Sequence, residues 1–152
     1  MKFMRTAIAL SEENLKVGGG PFGAVIVKNG KVIATGVNSV TNAADPTAHA
    51  EINAIRQAAK VLGTHDLSGC EIYSSCEPCP MCLGAIYWAH LDKLYFANTQ
   101  SDAKSIGFDD AFIYEELALK TSERKLHTTQ LLANEAIVAF EYWQKLEDKT
   151  EY

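Results

Sequence analysis

Residues 70–89 read CEIYSSCEPCPMCLGAIYWA, a strand pattern followed by a helix pattern, and they contain all four cysteines of the chain. Residues 70–74 have the pattern of a short strand. Pro78 follows, at a point where the first turn of a helix tolerates proline, which predicts a helix over about 79–89. Cys79 and Cys82 are three positions apart, so on that helix they face the same way.

The flanking segments alternate between helical and strand patterns. Asn29-Gly30 joins two β-branched runs and is the strongest short hairpin signal, since a type I′ turn needs two positive φ angles. The expected helices cover residues 2–17, 48–62, 79–89 and 134–146, with weaker helical character at 108–119, and the expected strands cover 22–27, 31–37, 70–74, 91–97 and 126–131. We therefore expect a three-layer α/β/α fold in which helices cover both faces of a central five-stranded mixed sheet. No linker-like break interrupts residues 1–152, which predicts a single domain.

The composition excludes several classes of protein. The chain has 152 residues, 47% of them hydrophobic, which is ordinary for a globular domain. Its 14 Lys and Arg against 19 Asp and Glu give a net charge of −5, without the cationic cluster that nucleic-acid binding requires. No run resembles a signal peptide or a membrane span. These features predict a cytoplasmic protein that binds neither nucleic acid nor membrane.

Two predicted helix starts carry residues that can hold a metal. His49 and Glu51 lie at the start of one helix, and Cys79 and Cys82 at the start of another. Helix N-termini favour thiolates over thiols, and thiolates with imidazole select zinc. Three protein ligands leave the fourth tetrahedral position for water, which is the catalytic arrangement. Glu51 would then move protons rather than bind the metal.

Four segments give the chain a specific resemblance: Gly19–Val25, Asp45–Glu51, Ser75–Trp88 and Gly107–Tyr114. His-x-Glu followed by Pro-Cys-x-x-Cys is the signature of zinc deaminases. With these segments and the ending Glu151-Tyr152, the chain resembles the bacterial guanine deaminases of the cytidine/deoxycytidylate deaminase superfamily over nearly its whole length. The resemblance implies hydrolytic deamination of guanine to xanthine and ammonia, in purine metabolism, with one zinc ion per chain.

The resemblance also implies roles for single residues. Phe22 would stack on the base, Asn38 would hydrogen-bond its edge and Ala50 would also contact the substrate. Asp110 would be a second proton carrier beside Glu51. Tyr152 would cover the pocket. The protein would be a homodimer in which the C-terminal segment, about residues 131–152, can be exchanged between subunits.

Alternatives remain at several positions. Cys76 could complete a closed Cys₃His zinc site without chemistry, although we expect Cys70 and Cys76 to be inert thiols. Asp109 is expected to cap a helix. The zinc motif is shared with tRNA adenosine deaminases, which need a cationic surface for RNA. It also leaves open guanosine, cytosine, cytidine or an aminotriazine as the substrate.

Overall fold

The computed structural model describes residues 1–152, and the chain divides into two compact units, residues 1–111 and 112–152. The first unit contains the predicted helices and strands near residues 2–17, 22–27, 31–37, 48–62, 70–74, 79–89 and 91–97, and adds two short helices, Val40–Ala43 and Gln100–Ser105, that the sequence did not predict. The elements of this unit are α1 (Lys2–Lys16), β1 (Gly23–Lys28), β2 (Lys31–Val37), α2 (Val40–Ala43), α3 (Ala50–Leu62), β3 (Cys70–Cys76), α4 (Pro80–Trp88), β4 (Lys93–Asn98) and α5 (Gln100–Ser105).

The sheet is mixed, with the strand order β2-β1-β3-β4. Strand β1 is antiparallel to both β2 and β3, and β3 is parallel to β4. The β1–β2 hairpin turns at Asn29 and Gly30, whose φ angles are 51° and 71°. The hairpin predicted from Asn-Gly is therefore confirmed.

Alternate residues of β1 face two different helical layers. Ala24 and Ile26 belong to a buried cluster shared with α3 and α4. Val25 and Val27 belong to a second cluster on the opposite face, packed against α1. Successive side chains of a strand point to opposite faces, so a strand that is apolar at every position must be covered on both. This arrangement confirms the three predicted layers.

The prediction of a five-stranded sheet is wrong, because the sheet has four strands. The expected fifth strand, residues 126–131, has no regular structure. Leu126 and Leu131 are each 76% exposed and enclose the polar run His127–Gln130. A strand is stabilised by a neighbouring strand and a buried face, and this segment has neither.

The second unit is built from short helices. Helix α6 (Ala111–Ala118) begins at the boundary, a 3₁₀ turn covers Thr121–Glu123 and α7 covers Ala133–Lys145. Arg124 closes the end of α6 by donating from Nε to the Glu116 carbonyl at 3.1 Å. No side chain from residue 112 to residue 152 is buried. Whether both units act as one domain stays a prediction.

Gly36 sets how closely α3 lies on the sheet. A Cβ atom at this position of β2 would collide with the carbonyl oxygen of Ala50 and the amide nitrogen of Ala54. Only glycine permits such an approach of two backbones. The N-terminal turn of α3 is thereby held directly against β2.

Candidate metal centre and substrate pocket

Two helix N-termini meet above the sheet and bring the predicted metal ligands together. His49 is the N-cap residue of α3, and Cys79 is the N-cap residue of α4. Both have extended backbone angles, and Pro80 begins α4, where its missing N–H costs no helical hydrogen bond. Cys82 follows in the first turn of α4 and is fully buried.

The three potential ligand atoms form one group. Nδ1 of His49 lies 3.6 Å from Sγ of Cys79 and 3.5 Å from Sγ of Cys82. All three ligand atoms lie within 4.8 Å of one another. Two thiols and one imidazole at this spacing fit a zinc ion, because soft sulfur and nitrogen donors are its preferred ligands.

Cys76 does not belong to this group. Its thiol instead donates to the carbonyl of Thr99 at 3.7 Å, and burial raises its pKa to about 11. Cys76 therefore does not supply the fourth protein ligand that a closed structural zinc site needs. Three protein ligands favour the open arrangement of a catalytic metal.

Crowding of the ligand atoms shifts their pKa values strongly. The pKa of Cys79 is lowered to about 4, chiefly by a hydrogen bond with Cys82 and also by one with His49. The same contact with Cys79, together with burial, raises the pKa of Cys82. The hydrogen bond with Cys79 raises the pKa of His49. Without a metal, protons are thus shared in hydrogen bonds among the three ligand side chains. A divalent cation displaces these protons when it binds.

Glu51, in the first turn of α3, is placed to carry a proton. Its side chain is only 6% exposed. The Ser74 hydroxyl donates to Oε1 at 2.8 Å, and burial raises the pKa of the carboxyl. A buried carboxyl with a raised pKa holds a proton more readily than an exposed one, which suits a group that takes up and releases protons. Ser74 was not singled out by the sequence, since nothing in a strand pattern shows which serine meets a glutamate from another layer.

These side chains open into a pocket of about 440 Å³, a volume suited to a small molecule. Residues from both sides of the metal group form its walls. They include Gly20, Phe22, Asn38, Val40, Thr41, His49, Glu51, Cys76, Glu77, Cys79, Gln100, Ala103, Gly107, Phe108, Asp109 and Asp110. Six of these residues are among the site residues expected from the sequence: Phe22, Asn38, His49, Glu51, Cys79 and Asp110.

An aromatic pair forms part of the pocket wall. The rings of Phe22 and Phe108 meet edge to face, with centroids 4.9 Å apart and planes at 89°. This geometry is favourable for aromatic pairs and orients the Phe22 ring. Phe108 was missed as a site residue, although it lies in the Gly107–Tyr114 segment that the sequence analysis quoted.

Two adjacent aspartates have different environments. Asp109 accepts a hydrogen bond from the Ala111 amide at 3.1 Å and pairs with Lys104 at 3.0 Å, so it caps α6 as expected. The carboxyl of Asp110 is partly buried, and this burial raises its pKa. A carboxyl of raised pKa on the pocket wall can exchange protons with a ligand.

The structure leaves two predicted substrate contacts, Ala50 and Tyr152, untested. Ala50 is completely buried in the core beneath α3. Tyr152 ends the second unit and is 74% exposed. Their expected roles stay predictions.

No helix of the structure combines the length and the apolar character that crossing a membrane demands.

The chain is similar to known deaminases in both sequence and structure. Residues 1–98 match the cytidine and deoxycytidylate deaminase zinc-binding region. The chain is 50% identical to the guanine deaminase of Bacillus subtilis over 151 residues, which cover 99% of this chain and 97% of that protein. The crystal structure of that guanine deaminase superimposes with a TM-score of 0.96 at 49% identity, again covering 99% and 97% of the two chains.

Two further matches cover less of the chain. The tRNA-specific adenosine deaminase of Aquifex aeolicus is 41% identical over 95 residues, 62% of this chain and 63% of that one. A solved structure in complex with 2,6-diaminopurine has a TM-score of 0.69 and 39% identity, and the match covers 71% of this chain and 61% of that chain.

Proposed function

The chain belongs to the cytidine and deoxycytidylate deaminase family, and we propose that it is a zinc-dependent guanine deaminase. The observation that carries this function is the extent of the similarity to the Bacillus subtilis guanine deaminase, which spans 99% of the chain at 50% identity. The adenosine deaminase acting on tRNA matches only 62%. The net charge of −5 also favours a small base over RNA.

The reaction consumes one water and one guanine. A C2–O bond forms, the bond from C2 to the amino nitrogen breaks, and xanthine and ammonia leave. His49, Cys79 and Cys82 would hold the zinc, one ion per chain. A zinc ion in an open site supplies Lewis acidity that makes water nucleophilic at neutral pH.

The protein's own carboxyls move the protons. Glu51 takes a proton from the attacking water and delivers it to a ring nitrogen of guanine. Glu51 and Asp110 then carry the remaining proton from the C2 hydroxyl to the amino nitrogen, which departs as ammonia while the C2 carbonyl forms. The raised pKa values of both carboxyls suit this exchange.

Substrate contacts follow from the pocket walls. Phe22 stacks on the purine, while Asn38 bonds its polar edge. Ala50 contributes through the backbone at the start of α3, since its methyl group is buried in the core. Tyr152 covers the base.

A homodimer completes the proposal. Apolar side chains of α7 are exposed, including Ile137 at 47%, Val138 at 59% and Phe140 at 71%. Several large apolar side chains exposed on one helix are typical of an interaction site. A second copy of the chain covers it, and the segment 131–152 is exchanged between subunits, so that Tyr152 caps the neighbouring pocket.

The four cysteines are free thiols, which are typical of a reducing compartment. This state supports a cytoplasmic location, where guanine deamination serves purine salvage and breakdown.

The function is tested by incubating the zinc-loaded protein with guanine and measuring xanthine and ammonia. Guanosine, cytosine, cytidine, an aminotriazine and a tRNA anticodon stem-loop are assayed in parallel. We expect guanine to be the preferred substrate. Ammonia released mainly from another compound would contradict the assignment.

The role of Glu51 is tested with Glu51→Gln. This variant should lose at least about a hundredfold in kcat, the contribution typical of a proton carrier, while it keeps zinc. Cys79→Ser is the matched variant that should lose zinc, and Cys76→Ser should retain both zinc and turnover. Metal content is measured by atomic spectroscopy beside the rate assay. Normal turnover in Glu51→Gln would remove that residue from the mechanism.

A further inference from the structure

Asn14, near the end of α1, is a polar side chain that is only 5% exposed. Its Nδ2 donates two hydrogen bonds to backbone carbonyls far apart in sequence. One goes to Gly20 at 2.8 Å and the other to Asn38 at 2.7 Å. Both acceptor residues line the substrate pocket. One carboxamide therefore ties together two segments of the pocket wall.

The glycines after α1 allow this contact. A Cβ atom at Gly19 would collide with the Asn14 carboxamide, and one at Gly20 would lie 3.0 Å from Oδ1 of Asn38. Glycine is the residue that lets a backbone approach another group so closely. The Gly18–Gly20 run lacks the lysine and the serine or threonine that complete a phosphate loop. Gly19 and Gly20 are needed instead because their backbones pack against the carboxamides of Asn14 and Asn38.

Asn14 holds the backbone of Asn38 through its carbonyl, and two further hydrogen bonds fix the residue at its backbone N–H and its side chain. Its backbone N–H donates to the Phe22 carbonyl at 3.1 Å, and its Oδ1 accepts from the Val40 amide at 3.3 Å. Its Nδ2 makes no hydrogen bond within the chain, so two N–H groups remain for a ligand in the pocket. A group held in place before binding loses less freedom when the ligand arrives.

We propose that Asn14 is a positioning residue that holds Asn38 in the conformation that binds an acceptor atom on the edge of the purine. This role rests on the proposed function, since it concerns the base-binding side of the same pocket. Asn14 acts through the Asn38 backbone and does not line the pocket itself. Its loss should therefore weaken substrate binding far more than it slows the chemical step.

Asn14→Leu tests this role, because leucine is of similar size and removes both donors. We expect KM for guanine to rise about tenfold, the effect of losing roughly one buried hydrogen bond, while kcat changes less than about threefold. The control is Val27→Ala, which weakens the packing of α1 on the sheet without touching the pocket. At comparable loss of thermal stability, this control should leave KM within about twofold of the unmodified protein.

Two further measurements do not depend on guanine turnover. Hydrogen exchange at the amides of Asn38 and Val40 should be faster in Asn14→Leu than in Val27→Ala. Binding of 2,6-diaminopurine, measured by calorimetry in a Glu51→Gln background, should weaken about tenfold in Asn14→Leu. If Asn14→Leu does not fold, Asn14→Ser, which keeps one donor, should show the same changes at smaller size.

The outcomes separate the two proposals. An unchanged KM and unchanged diaminopurine affinity in a folded, zinc-loaded Asn14 variant overturn the role of Asn14, even if guanine is the substrate. Absence of guanine turnover in the unmodified protein overturns the proposed function. In that case exchange and diaminopurine binding still decide whether Asn14 positions Asn38.

Discussion

The hydrogen bond between Ser74 and Glu51 shows how one hydroxyl prepares a carboxylate for its task. Ser74 is 1% exposed and donates to Oε1 of Glu51, so one carboxylate oxygen is occupied. A hydrogen bond with Cys82 also restrains the carboxyl. A carboxylate held in this way needs no reorientation when the reaction begins.

Ser74→Ala should lower kcat about tenfold, because it leaves a buried carboxylate oxygen without its donor. Steady-state kinetics of guanine deamination measures the effect. Ser75→Ala is the matched control on the same strand, since the Ser75 hydroxyl accepts a hydrogen bond from Gly23 at 3.0 Å instead. Equal losses of kcat in the two variants would show that Ser74 acts only through stability.

The packing of helix α3 on strand β2 determines the positions of two site residues. His49 and Glu51 both lie at the start of α3, and Gly36 is the point of contact with the strand beneath. Any displacement of this helix moves the proposed metal ligand His49 and the proposed proton carrier Glu51 together. The helix therefore couples core packing directly to the geometry of the metal centre.

Gly36→Ala should lower the free energy of unfolding by about 1–3 kcal/mol, since the added methyl group has no space. It should also weaken zinc binding, because His49 moves with α3. Denaturant unfolding and competition with a zinc chelator measure the two effects. Gly84→Ala in α4 is the control: it adds the same methyl group in open space and should leave both quantities unchanged or slightly raise stability. Equal behaviour of the two variants would contradict this account.

The exposed apolar side chains of the second unit bear on how the whole molecule assembles. No side chain in residues 112–152 is buried within the chain, although α7 carries Phe140 and Trp143. Exposure of this kind would favour aggregation of a monomer. The proposed dimer removes the apolar surface from water.

Phe140→Asp should shift the protein from dimer to monomer, as measured by size-exclusion chromatography with light scattering. A charge at a buried interface is costly because it loses its water without gaining a partner. Glu135→Lys, five residues before Phe140 and on a different face of α7, is the control and should remain dimeric. A monomeric unmodified protein would contradict the proposed assembly.

The metal site could be predicted from the sequence largely because its residues occur in two short motifs at helix starts. His49 and Cys79 are the N-caps of α3 and α4, which begin at Ala50 and Pro80, within two residues of the starts expected near residues 48 and 79. The strand expected at 126–131 was wrong, since strand formation depends on a partner that local sequence does not show. The contacts of Ser74 and Asn14 could not be predicted, because each joins segments that only tertiary packing brings together.

The two faces of the sheet differ in how freely they can change over evolution. The layer beneath α3 is rich in alanine, with Ala24, Ala34, Ala54 and Ala58 at the interface, whereas the α1 layer uses Val25, Val27 and larger partners. Bulkier residues beneath α3 would move the metal centre, while exchanges of similar volume beneath α1 need only conserve packing. Among relatives, substitutions should therefore be more frequent in the layer beneath α1. The alanine residues beneath α3 should change more slowly, because they determine the position of the site.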